Sequence, residues 1–131
     1  CVKITPRKAS SKILFTANLM VGGKDGNAGP KIKLLRDSTS IAIGDNGSNN
    51  NVDEATFGNH FSTTDLDCRQ MSVTVLDSPS YSLNDEITYK PQIRSESGSH
   101  STTINKAFLD NNAQTSGLRL FSNLIVMEIA G

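Results

Sequence analysis

The chain has 131 residues, no tryptophan, and 13 basic side chains balanced by 13 acidic ones. A chain of this length is expected to form one domain, spanning residues 1–131, with a single core that buries roughly two thirds of its unfolded surface. Zero net charge supplies no field to steer it to nucleic acid or an anionic membrane, and no apolar run approaches the roughly 20 residues of a membrane span, so neither partner is expected.

In chain order, Val2-Lys3-Ile4-Thr5 already alternates like a strand. A bacterial lipoprotein also matures to an amino-terminal cysteine, but normally follows it with a flexible tether. With no initiator methionine, the chain is expected to be a processed product or the ordered end of a longer one. Residues 11–21 form the next strand, with Ile13, Phe15, Ala17, Leu19 and Val21 on one face and Leu14, Thr16, Asn18 and Met20 on the other. Residues 22–30 break it; residues 23–31 read as three collagen-like triplets, too few for a triple helix and better read as a loop. Residues 31–37 and 40–43 have hairpin spacing around Asp37-Ser38-Thr39, with Ile32, Leu34, Ile41 and Ile43 inward.

A polar stretch follows to Asp67. Its Asn-rich run at residues 46–51 invites a calcium reading, but glycine is not at the sixth place of an EF-hand loop, and such runs serve as turns. Asn46-Gly47-Ser48 is a sequon that reads equally as an Asn-Gly turn. Residues 69–76 alternate again, with Met71, Val73 and Val75 inward, and Asp77-Ser78-Pro79 closes that strand. Residues 86–94 place Ile87, Tyr89 and Ile93 on one face; Pro91 lacks a ladder donor and puts this strand at an edge or on a bulge. Residues 100–106 make a polar strand anchored by Ile104. The closing strand, within residues 117–131, crowds Leu124, Ile125, Val126 and Met127 together, apolar on both faces. One face can meet the domain's own core and the other a second sheet or a second copy.

These eight strands, with no convincing helix, predict an all-β fold, an antiparallel jelly-roll-like β-sandwich, since the Cys-Trp-Cys core of immunoglobulin domains is absent. Cys1 and Cys68 lack the spacing of a zinc or redox motif and are expected to be free thiols. His60 and His100 lie in polar surroundings, Asp65/Asp67 and Asp85/Glu86 read as solvated loop charges, and no nucleophile, metal or phosphate-loop motif occurs. No catalytic residue, metal or cofactor is expected.

Four segments carry a resemblance. They are Ile4-Thr5-Pro6 with Ser10-Ser11-Lys12-Ile13-Leu14; Leu76-Asp77-Ser78-Pro79; Thr88-Tyr89-Lys90 with Ile104-Asn105; and Ser122 through Met127-Glu128-Ile129-Ala130. In their order and spacing the chain resembles the carboxy-terminal domain found on many tail fibres and other virion proteins of bacteriophages, especially marine ones. The Gly-rich and Asn-rich loops stand outside the likeness. It implies a β-rich homotrimer at the end of a virion appendage, extracellular after release of the particle, with other virion proteins and a host surface glycan as partners. On this reading Leu124, Ile125, Val126 and Met127 approach the threefold contact, and Glu128 takes a cationic partner such as Lys12. A capsid decoration or cement protein of the same fold is one alternative, and a small polysaccharide-degrading enzyme another. If strands simply alternate up and down, residues 6–10, 38–39, 78–85 and 107–116 share one end, opposite both termini. Tyr81, Asn84, Asp110, Asn111, Asn112 and Gln114 would then form a sugar site there, with Tyr81 as the stacking ring. An additional strand within residues 55–61 would change that set.

Overall fold

A computed structural model describes residues 1–24, 29–45, 55–58, 66–95, 101–109 and 117–131. Nine strands run through them, with no helix among the described residues: β1 (Val2–Ile4), β2 (Lys12–Gly23), β3 (Lys31–Arg36), β4 (Thr39–Ile41), β5 (Phe57–Gly58), β6 (Cys68–Asp77), β7 (Ile87–Arg94), β8 (Thr102–Ile104) and β9 (Asn123–Ile129). The eight expected strands are all present, and β5 is the additional one.

The strands form two antiparallel sheets, as in a β-sandwich. In the first, β7 lies between β1 and β3, and the far side of β3 is shared by β4 and β5. Thr56 joins that divided edge: its hydroxyl accepts from Leu34 N–H at 2.9 Å and donates to the Ile41 carbonyl at 3.1 Å. In the second sheet, the long β2 is central. β6 pairs with it over ten residues on one side, while β9 and then β8 share the other.

The odd-numbered residues of β2 point between the sheets, as its alternation requires. Ile13, Phe15 and Ala17 pack with Leu34, Ile41, Ile87 and Tyr89 of the facing sheet, and Phe15 and Tyr89 stack tilted at 5.2 Å between centroids. Leu19, Val21, Ile32 and Met71 continue the core, with Phe57 and Leu124 touching both parts. At about 25 cal/mol per Å² of apolar area, each fully buried large side chain contributes roughly 1.5–3 kcal/mol.

Two expectations change here. Pro91 is not on a simple edge strand, because β7 is paired on both sides. Thr88 turns its N–H and C=O toward Asp37, so by alternation Pro91 faces the other way. On that side β1 pairs only with residues 87–89, so the missing donor costs no ladder bond. Ile104 does not anchor β8: it is 38% exposed, and close backbone approach holds the strand instead. A Cβ on Gly22 would sit 2.5 Å from the Lys106 carbonyl oxygen and 2.6 Å from Thr103 Oγ1, so only glycine lets β8 lie there.

β8 and β9 run in the same direction beside β2, one continuing where the other stops. Residues 105–122 leave the sheet edge at Met20–Val21 and return at Asn18. Asn105 N–H donates to the Met20 carbonyl, Leu120 N–H to Asn105, and Ala107 N–H to Leu118. The Ser122 hydroxyl donates to Asn105 Oδ1 at 2.5 Å and accepts from Met20 N–H at 2.8 Å. Asn105 takes a left-handed φ of 64° to start the excursion, a conformation asparagine tolerates.

Candidate functional site

At the Lys12 end of β2, two carboxylates flank Ile13 in register and point into the sandwich: Asp77 from β6 and Glu128 from β9. A carboxylate aimed at a core must be fully partnered. Asp77 is, by the facing sheet: Arg36 Nη1 of β3 reaches both of its oxygens at 2.9 Å, and the Tyr89 hydroxyl of β7 donates at 2.7 Å. Burial, then the Asp77 hydrogen bond, push the Tyr89 phenol far above its ordinary range.

Glu128 is held differently, and not by the expected Lys12. It accepts the backbone N–H groups of Arg7 and Lys8 at 3.0–3.1 Å and the Ser11 hydroxyl at 2.6 Å. Adjacent N–H groups converging on an anion form a nest. A lysine at position 12 cannot join it, because Lys12 lies on the outer, even-numbered face of β2. The Ser11 hydroxyl first, then the Arg7 and Lys8 amides, hold the Glu128 carboxyl below its usual range.

Tyr81 completes this end. Its ring packs against the core, and its hydroxyl donates to the Lys8 carbonyl and accepts from Ser11 N–H at 3.1 Å. These bonds give Tyr81 a structural task in fixing residues 8–11, in place of the free stacking face expected of it. Asn84 lies next to it in chain order, in a left-handed conformation (φ 77°) within the turn closed by Asp85 N–H on the Ser82 carbonyl. Between this turn and residues 5–7 opens a cleft of about 440 Å³ lined by Thr5, Pro6, Arg7, Leu83 and Asn84.

The expected sugar site therefore divides. Loops at residues 5–11, 37–38 and 78–86 do share one end, but so does the carboxy terminus: a Cβ on Gly131 would meet the Ser10 carbonyl at 2.7 Å. The stem at residues 105–109 and 117–122 lies elsewhere: it leaves the edge of β2 at Met20, toward the Gly23 end. Simple alternation fails at the parallel course of β8 and β9. Asp110, Asn111, Asn112 and Gln114 lie outside the described residues, as do His60, His100, Asp65, Asn46 and the Asn-rich run. Among the described residues no group of three His, Cys, Asp or Glu could hold a metal ion, no helix is long and apolar enough to cross a membrane, and Cys1 and Cys68 are free. Burial first, then Asp67 beside it, raise the Cys68 thiol above its ordinary range.

The four expected interface residues also separate by register. Leu124 and Val126, opposite Ala17 and Phe15, turn inward and pack on the core. Ile125 and Met127 turn outward, 42% and 48% exposed. The outer face of this sheet reads in rows: Leu76, Leu14 and Met127; then Thr74, Thr16 and Ile125; then Ser72, Asn18 and Asn123, with Ile129 beside Lys12. The last row is tied together through Asn18, whose amide donates to Asn123 at 2.8 Å and accepts from Ser72. Leu76 and Ile129 are exposed on this face too. Sequence reading missed Leu76, placed at a strand end, and Leu14, whose face was identified but not its neighbours.

No protein-family model matches the chain, and no curated protein or solved structure matches it.

Proposed function

We propose that the chain is a non-enzymatic structural module of a phage virion, the trimeric receptor-binding tip of a tail fibre or spike, with a jelly-roll-like sandwich as its protomer. The observation that carries this reading is the outer face of β2, β6 and β9. Leu14, Leu76, Ile125, Met127 and Ile129 form an apolar patch bordered by Lys12 and by the Ser72–Asn18–Asn123 row. An apolar centre with a polar rim is the anatomy of a subunit interface. Three copies would multiply weak ligand contacts at the loop ends into useful avidity.

The described polar groups support a binding role over a catalytic one. Asp77, Glu128, Ser11 and Tyr81 are each committed to structural partners. Light scattering tests the assembly: a homotrimer is expected, and a stable monomer at micromolar concentration overturns it. Ile125→Asp should dissociate the trimer, because an unpaired charge in an interface costs several kcal/mol. Labelled antibody on intact particles in the electron microscope tests the location. Decoration of fibre ends is expected, whereas decoration of the capsid shell would favour a cement protein, and loss of host polysaccharide on incubation would favour an enzyme.

A further inference from the structure

The cleft between residues 5–7 and the Ser82–Asp85 turn has fixed walls and polar side chains that make no hydrogen bonds among the described residues. Glu128 draws the backbone amides of Arg7 and Lys8 inward, which leaves the Arg7 side chain to line the cleft. Asp85 closes the opposing turn twice, through its own N–H on the Ser82 carbonyl and its carboxylate on Ser82 N–H at 2.9 Å. That turn fixes Leu83 and the left-handed Asn84. Among the described residues the side chains of Thr5, Arg7 and Asn84 have no hydrogen-bond partner, while three neighbouring carboxylates are engaged: Glu128 by the nest, Asp85 by Ser82, and Glu86 by Lys3 at 2.5 Å.

Three polar side chains without a hydrogen-bond partner, Arg7 among them with its charge also felt by Glu128, thus meet two apolar residues, the buried Pro6 and the half-exposed Leu83. The volume, about 440 Å³, falls within the roughly 300–1,000 Å³ of small-molecule sites. The guanidinium fork matches a carboxylate in two parallel hydrogen bonds. The Asn84 amide and Thr5 hydroxyl can both donate and accept, as neighbouring sugar hydroxyls require, and Leu83 can cover the C–H face of a ring. Arg7 as the single cation lining the cleft, with carboxylates nearby, suits a singly charged ligand better than a phosphate dianion.

The geometry points to this cleft as the binding site for a hexuronate unit, an acidic sugar of a surface polysaccharide; as the ligand of a fibre tip it rests on the receptor-binding reading. Titration of the isotope-labelled protein with methyl glucuronide, methyl glucoside and acetate, followed by amide NMR, tests it without the particle. Saturable shifts centred on Thr5, Arg7, Leu83 and Asn84 are expected with the glucuronide, at least tenfold weaker with the glucoside or acetate. Arg7→Gln should weaken the glucuronide at least tenfold with an unchanged melting temperature. Asn84→Gly, which keeps the left-handed backbone and removes the amide, should weaken both sugars. Absence of saturable shifts at these residues, equal binding of acetate, or an Arg7→Gln protein that binds as before overturns the site. A protein that binds the glucuronide but does not decorate fibre ends would retain the site and remove the fibre-tip function.

Discussion

The bond between the two sheets at Asp77 makes a quantitative prediction. Asp77→Ala removes the acceptor for Arg36 and for the Tyr89 hydroxyl at once, and the pair is well sheltered, with side chains 11% and 23% exposed. Breaking a fully buried ion pair costs about 3–5 kcal/mol and stranding a buried hydroxyl about 1–3 kcal/mol. Arg36 can still reach some water, so a total near 3 kcal/mol is expected. For 131 residues, with an unfolding entropy of about 2.1 cal/mol/K per residue, that lowers the melting temperature by about 11 °C. Tyr89→Phe removes only the hydroxyl and should cost about 1 kcal/mol, or about 4 °C. Lys3→Ala, which breaks a pair more than half exposed on both sides, should leave the melt unchanged. Scanning calorimetry reads all three, at one fixed protein concentration so that self-association does not enter the comparison. An Asp77→Ala protein melting within about 3 °C of the parent would refute the idea that this pair ties the sheets together.

Gly22→Ala should cost about 2 kcal/mol and release β8 first, seen as faster amide exchange at residues 102–104, because the new Cβ meets the Lys106 carbonyl and Thr103. Glu128 has a folded-state pKa below its usual value of 4.5. Its contribution is therefore present above that value and lost as pH falls below it; Glu128→Gln should flatten the acid limb of a stability–pH curve. Tyr89 has a pKa raised above the ordinary 10.0, so its contribution is present below pH 10 and lost above it, and Tyr89→Phe should melt less steeply with rising alkalinity. Reductant should leave the melting temperature unchanged, since both cysteines are free; a fall of more than about 5 °C would contradict this.

Much of the fold was legible because alternation is local. The odd residues of β2, and Met71, Val73 and Val75 of β6, announce their inward face within the strand itself. The closing strand does not, because Leu124, Ile125, Val126 and Met127 are apolar at every position. Only the register opposite Ala17 and Phe15 decides which pair is core. Tyr81 looked like an exposed ring in a polar stretch; the Lys8 carbonyl that engages it lies 73 residues away. The residues behind the resemblance also meet across intervening chain: Ser11 with Glu128, Asp77 with Tyr89, and Asn105 with Ser122. Each pair joins separate segments, so no single segment discloses its partner. The cleft has the same origin, with Arg7 and Asn84 brought together only by the packing of two loops.

The way β8 hands over to β9 makes this edge of the molecule modular. Asn105 and Ser122 are clasped at the root of the excursion, and the Lys106–Arg119 bridge closes it one step further out. Whatever lies between is attached through a stem that the sheet already holds. Doubling the length of such a segment costs only about 0.6 kcal/mol in closure entropy. Residues 108–117 can therefore be exchanged for foreign peptides, or shortened to a tight turn across the Lys106–Arg119 bridge, while Met20, Asn105 and Ser122 keep the graft point intact. This makes the stem the natural place on the chain to display a new epitope.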